Sequence, residues 1–145
     1  MRIFIIVTAI LFATCTVSRH ASSPSLPSWL KGNFEDDYGI KYTVSDSLFT
    51  LLPAAKYHIL EWNETEEYII ARNDEKNPGE QNLFTRIDYM QFKNMDPYMW
   101  GFCLTTYNAA SPAAAKSAPA ADRANPRKGC NNFSFSRMKR IDVKY

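Results

Sequence analysis

The chain has 145 residues, of which 46% are hydrophobic, 14% aromatic and 22% charged. This length and composition suit one globular domain and exclude a disordered or collagen-like chain. The formal net charge is only +2. The chain as a whole therefore lacks the strong basic character typical of nucleic-acid-binding domains, and we expect no nucleic-acid partner.

Residues 1–14 have the form of a secretory signal peptide. Arg2 is followed by an apolar run over 3–13, which is about half the roughly 20 residues that a membrane-spanning helix needs. The end of this run, Leu-Phe-Ala-Thr-Cys at 11–15, resembles a bacterial lipoprotein box, in which the cysteine is diacylated and becomes the first mature residue. We therefore predict a lipid anchor at Cys15 and a location in the cell envelope, facing the periplasm or the outer surface. The alternative is cleavage after Ser18 and secretion.

Residues 15–28 are rich in Ser and Pro and show no apolar periodicity. This composition predicts a flexible tether. It leads to a folded domain over 29–141, which is followed by a short tail, 142–145.

The cysteines that remain in the domain are Cys103 and Cys130, because Cys15 is either acylated or removed with the leader. An even number of cysteines in an oxidising compartment predicts a disulfide between them. The alternative is two free, buried thiols. The pair lacks the spacing and the histidine partners of a zinc site, so we expect no metal.

Short runs of alternating apolar residues predict β-strands from Tyr38 onward. In the first run, 38–44, every second residue from Tyr38 to Val44 is apolar, which is typical of a half-buried strand. Further strands are predicted at 48–52, 57–62, 67–72, 83–92, 98–107 and 130–138. The acidic residues at 35–37 are interpreted as a polar turn before the first strand, and 57–62 and 67–72 are predicted to form a hairpin.

The Ala- and Pro-rich segment 108–129 interrupts this series of strands. Ser111 followed by Pro112 is a typical helix start, with Ser as the N-cap and Pro at the first helical position. Pro119 limits the predicted helix to about two turns. We predict an all-β fold, an antiparallel meander closed into a small barrel with one short helix before the last strand, because closure removes exposed strand edges. A small open sandwich is the alternative.

Arg86 and Asp88 are the charged residues most informative about a site. They are two apart in a strand and therefore share one face with apolar neighbours, where charges are rarely left unpaired when buried. One interpretation is an internal ion pair that stabilises the barrel. The other is a polar anchor inside a ligand cavity, with Trp62, Trp100 and Tyr89 as its walls.

The residues available for catalysis are few. His58 is the one histidine of the predicted domain, and no nucleophile, phosphate-binding or metalloprotease motif accompanies it. A hydrolase would have to combine Glu35, Asp36, Asp37 or His58 in one cleft. We expect no cofactor.

The opening of the domain, Trp29-Leu30-Lys31-Gly32-Asn33-Phe34, resembles the G-x-W motif of lipocalins, with Gly32-x-Phe34 in its place and the tryptophan displaced to Trp29. The meander, the late helix, the strand after it and the disulfide to the C-terminal segment are also similar to the lipocalin or calycin layout, over roughly 29–140. This resemblance implies that Arg137 or Arg140 packs across Trp29. The chain is also similar to small bacterial lipoproteins of uncharacterised function that are described as lipocalin-like.

These observations lead to three functional hypotheses. The first is a membrane-tethered envelope protein, not an enzyme, that binds a small apolar molecule or a protein. The second is an envelope inhibitor or accessory subunit that acts through loops 73–82 and 109–129. The third is the hydrolase.

Overall fold

The protein is an eight-stranded antiparallel barrel. A computed structural model describes residues 25–142. Each strand pairs with the next along the chain, and the last strand pairs with the first, which closes the barrel. The strands are β1 (Gly32–Asp36), β2 (Lys41–Val44), β3 (Leu48–Leu52), β4 (Ala55–Asn63), β5 (Tyr68–Asn73), β6 (Phe84–Gln91), β7 (Tyr98–Ala109) and β8 (Ser136–Arg140).

This architecture confirms the predicted all-β meander, its closure and the single short helix before the last strand. The helix, α1 (Pro112–Lys116), begins as expected, because the Ser111 side chain accepts a hydrogen bond from the Ala114 backbone N–H. The predicted hairpin is formed by β4 and β5. Within the described part of the chain, no helix is long and apolar enough to cross a membrane.

Three strands differ from the sequence-based prediction. β2 begins at Lys41 rather than at residue 38, and Tyr38 and Ile40, expected on its buried face, are exposed in the β1–β2 turn. β1 was not expected, because its inward-facing residues are Phe34 and a buried acid, Asp36, so that apolar alternation is missing. β8 begins at Ser136 rather than at residue 130. Residues 130–133 instead form a tight turn, in which Asn131 and Asn132 have positive φ.

The barrel interior is filled largely by aromatic side chains. Phe34 and Trp100 meet edge to face with ring centroids 5.3 Å apart, and Phe49 and Phe102 are in similar contact at 5.3 Å. Leu26 and Leu30 are buried in the same cluster, and a 3-10 helix (Ser28–Leu30) precedes β1. The packed core thus begins at Leu26, three residues before the predicted start of the domain. Leu26 and the 3-10 helix lie at one end of the barrel, which we call the closed end.

Arg140 covers the closed end from the outside. Its guanidinium lies 5.0 Å from the centre of the Phe34 ring and donates a hydrogen bond to the Lys31 carbonyl at 3.0 Å. Gly32 has a φ of +134°, and a Cβ at this position would overlap the Arg140 guanidinium. We expected Arg137 or Arg140 to pack across Trp29. Arg140 instead stacks on Phe34, and Arg137 stacks on Tyr98.

Residues 110–135, which we call the strap, cross the outer face of the barrel wall. Ala115 of α1 packs on Tyr68 and Ile70 of β5. Arg123 then reaches the β4–β5 turn, where it donates hydrogen bonds to the carbonyls of Glu66 and Glu67. A disulfide joins Cys130 to Cys103 of β7, as predicted. The wall formed by β5, β6 and β7 is therefore covered on both faces.

Candidate functional site

The five residues predicted to line one ligand cavity lie on two faces of the barrel wall. Tyr89 and Trp100 belong to the interior core, and Trp62 packs against that core from a half-buried position. Arg86 and Asp88 alternate with Ile87 and Tyr89 along β6 and face outward, under the strap. The pair therefore does not share a cavity with the three aromatic residues.

Asp88 is the centre of a buried ionic cluster between the barrel and the strap. Its carboxylate accepts hydrogen bonds from Arg86 and Arg123, at 3.1 Å each, and from the Thr105 hydroxyl at 2.7 Å. It also accepts one from the backbone N–H of Ala121 at 3.3 Å. Arg86 itself lies 4.4 Å from the centre of the Tyr68 ring. Both carboxylate oxygens thus accept hydrogen bonds from other residues of the protein. This arrangement agrees with the interpretation of Arg86 and Asp88 as an internal ion pair.

Arg123 is the member of this cluster that the sequence-based prediction missed. It lies in a segment, Ala-Asp-Arg-Ala-Asn-Pro, that has the composition of a solvated loop. A signal was nevertheless present in β6, because both alternating rows of side chains include large apolar residues, Phe84 and Met90 in one row and Ile87 and Tyr89 in the other. Such a strand is typical of a wall buried on both faces, so a covering segment with its own polar partner for Asp88 was to be expected.

The interior around Tyr89 and Trp100 is occupied by side chains. Both residues are 1% exposed. Burial raises the pKa of the Tyr89 phenol to about 12, because the phenolate form would lose its hydration. Its hydroxyl donates to the Asn63 carbonyl at 3.3 Å. These residues contribute to a packed core rather than to open walls.

A pocket remains at the other end of the barrel, which we call the open end. The β3–β4 and β5–β6 connections meet there, opposite the 3-10 helix. The pocket has a volume of about 250 Å³. Its base is formed by partly buried apolar residues of three strands, Leu51, Tyr57 and Leu104. Its rim includes Ala54, Tyr107 and residues 77–80.

The β5–β6 loop that borders this pocket is held in place by two asparagines. Asn73 donates to the carbonyls of Glu80 and Tyr107, both at 2.8 Å, and accepts from the Thr85 hydroxyl. Asn77 bonds to both the N–H and the carbonyl of Lys56. The pocket rim is therefore preformed by buried polar side chains.

A second concavity lies on the outer surface, over β7 and β8. This outer groove has a volume of about 400 Å³. Its apolar side chains come from the β6–β7 connection and from the strap. The residues that line it are Asp37, Phe92, Met95, Pro126, Arg127, Ser134, Phe135 and Arg137.

The acidic residues considered for hydrolysis are engaged with separate partners. Glu35 pairs with Lys139 and Asp37 with Arg137. Asp36 accepts hydrogen bonds from the N–H groups of the β1–β2 turn and from the Tyr42 hydroxyl. The Lys139 ammonium lowers the pKa of Glu35, so this carboxyl is less suited than a free one to act as a general acid.

His58 lies on β4, and two strands, β2 and β3, separate it from β1, which carries Glu35 and Asp36. Its Nε2 is 2.6 Å from the Asp74 carboxylate, and this hydrogen bond lowers the pKa of Asp74. No serine or cysteine in the range 25–142 bonds to His58. The four residues are therefore not gathered in one cleft. Among the residues that the structure describes, no group of three His, Cys, Asp or Glu side chains could hold a metal ion.

Cys15 and the leader lie outside the described residues, so the lipid anchor stays a prediction. Comparison with family models, with curated proteins and with solved structures found no match.

Proposed function

We propose that the protein is an exported, lipocalin-like binding protein that takes a small apolar molecule at the open end of its barrel. The observation that carries this proposal is the pocket over Leu51, Tyr57 and Leu104, the apolar base of which is reached through a rim of ordered polar loops. Apolar concavities with a few fixed polar groups are the usual form of ligand sites.

The size of the pocket limits the ligand. Typical ligand sites hold roughly 300–1,000 Å³, whereas this pocket holds about 250 Å³. The core below it is packed, with Phe49 and Phe102 both buried and their ring centroids 5.3 Å apart. A compact ligand, with the bulk of one or two fused rings, therefore fits better than a long chain.

The lipocalin-like assignment draws support from the closed end. An eight-stranded closed meander, a preceding 3-10 helix and a basic residue stacked across the aromatic residue of a Gly-x-aromatic motif occur together here. The motif is Gly32-x-Phe34, and the basic residue is Arg140.

Titration with 2-naphthol, followed by amide chemical shifts, tests the site. We expect shifts at Leu51, Tyr57 and Leu104. Ala54→Trp should abolish them, because Ala54 is exposed on the rim and the larger ring would fill the pocket. Ala113→Trp, on the exposed face of α1, is the matched control and should leave them unchanged. The proposal fails if the shifts are absent or survive in the Ala54→Trp variant.

We also propose that Cys15 anchors the protein to a membrane of the cell envelope. The lipoprotein-box sequence supports this, and a disulfide between Cys103 and Cys130 is consistent with an exported protein. Intact mass measurement of the protein purified from membranes should show a diacylated Cys15 as the first residue. A free N-terminus near Arg19 would instead indicate secretion.

A protein partner is the second candidate for the open end. Residues 78–80 are exposed beside the pocket, and Tyr107 is 50% exposed. An inhibitor or accessory role through loop 73–82 would use this surface, and co-purification of one stoichiometric envelope protein, lost with Ala54→Trp, would favour it over a small ligand. The strap contributes less, since Ala115, Ala121 and Arg123 contact the barrel.

A further inference from the structure

We propose that the outer groove is a second binding site, independent of the open-end pocket, for an amphipathic anion. The ligand would place an apolar chain along Phe92, Met95 and Phe135 and a carboxylate head group at Arg127. The apolar base of the groove and the balance of its charges favour such a ligand.

The base of the groove is apolar and held in place by the fold. Phe135 is 1% exposed and packs with Cys103 and Ala121, beside the disulfide. Phe92 lies directly over Gly101, where a Cβ would come within 2.7 Å of its ring. Since Gly101 has no side chain, the tip of the Phe92 ring can approach the wall closely. Met95, 38% exposed, is the flexible apolar residue at the edge.

The charges of the groove leave one cation uncompensated. The Arg137 guanidinium is 3.0 Å from the Asp37 carboxylate and stacks on Tyr98, so these two charges cancel. Arg127 contributes its carbonyl to a hydrogen bond from Ser134. Its guanidinium has no ion-pair or hydrogen-bond partner among residues 25–142.

This balance determines the chemical class of the ligand. A cationic ligand would find no free carboxylate, because the lining acid Asp37 is already paired. A guanidinium binds a carboxylate through two parallel hydrogen bonds, and the exposed Arg127 is accessible to the head group of such a ligand. The volume of about 400 Å³ accommodates a chain of medium length.

Isothermal titration of the purified protein with decanoate and with decanol, each below its aggregation concentration, tests this site. We expect decanoate to bind about three- to fivefold more tightly than decanol, which is the effect expected of one contact to an exposed guanidinium. Arg127→Gln should weaken decanoate by about the same factor and leave decanol unchanged. Lys128→Gln removes the adjacent exposed cation, which does not line the groove, and should change neither affinity by more than about twofold.

The controls separate this site from the open-end pocket. Ala54→Trp, which fills that pocket, should leave decanoate binding unchanged. Loss of 2-naphthol binding and loss of decanoate binding therefore test the two sites separately. Met95→Glu should weaken decanoate by placing a negative charge in the groove. The inference is overturned if Arg127→Gln affects both ligands equally, if Ala54→Trp abolishes decanoate binding, or if sedimentation shows that the groove joins two copies of the chain.

Discussion

Asp88 shows how a single buried charge organises this molecule. Its side chain is fully buried, yet it accepts hydrogen bonds from both the barrel and the strap. Two guanidinium groups, those of Arg86 and Arg123, face it. Such a cluster contributes little net stability compared with apolar packing, but its loss leaves charges without compensation in a region poor in water.

Replacing this carboxylate should therefore be costly. We expect Asp88→Asn to lower the free energy of unfolding by about 3–5 kcal/mol, because the Arg86 charge stays buried without its partner. Denaturant titration measures this difference. Glu61→Gln is the matched control: Glu61 pairs with Lys116 of α1, but both side chains are about half exposed, so solvent screens the pair and stability should change little. Equal effects of the two substitutions would contradict this account of Asp88.

At the scale of the element, the strap is attached at several points along its length. α1 packs on β5, Arg123 bonds to the β4–β5 turn, and Cys130 is linked to β7. The disulfide closes a loop with a sequence separation of 27. A bridge over a loop of this length stabilises the fold by about 3 kcal/mol in the chain-entropy model.

Removing the disulfide should loosen the strap before the barrel. We expect the Cys103→Ser, Cys130→Ser double variant to lose about 3 kcal/mol of unfolding free energy. Amide hydrogen exchange should then increase over 117–133 more than in β2 and β3, which pair with none of the strands β5, β6 and β7 that the strap covers. Uniform acceleration across all strands would show that the strap is not a separate unit.

Elements that neighbouring residues specify could be predicted from the sequence, and elements that depend on distant contacts could not. Strands with regular alternation, such as β2, and the Ser111–Pro112 helix start were predictable because local chemistry specifies them. β1 was not, since Asp36 is buried by bonds to Tyr42 and to a turn that only the fold assembles. The sequence also did not specify the direction in which Arg86 and Asp88 point, because β6 carries large apolar residues in both alternating rows and either row could have faced inward.

At the scale of the whole molecule, pH should affect stability through carboxylates with lowered pKa values. Hydrogen bonds from basic partners lower the pKa of four carboxyl groups, namely Glu35, Asp46, Glu61 and Asp74. The unfolded chain therefore binds protons at higher pH than the folded chain does. Their contribution to stability is present above the unfolded values near 4 and is lost as pH falls through the lower folded values.

We expect the melting temperature to be nearly constant from pH 7 to about 5 and to fall below about pH 4. Thermal unfolding followed by circular dichroism measures this. Asp74→Asn removes one of the four groups and its bond to His58. The melting temperature of this variant should therefore be lower at pH 7 and should fall less steeply with decreasing pH. A melting temperature independent of pH down to 2 would contradict the assigned direction of these pKa shifts.

Both ends of the described chain leave the barrel on one side. Ser25 and Leu26 bond to Asp46 in the β2–β3 turn, and Ile141 bonds to Asn33 at the start of β1. An anchor attached through Cys15 would therefore hold the barrel by its closed end. The pocket over Leu51 and Tyr57 would then point away from the bilayer, so that its ligand would arrive through the aqueous compartment and not by lateral diffusion from the lipid.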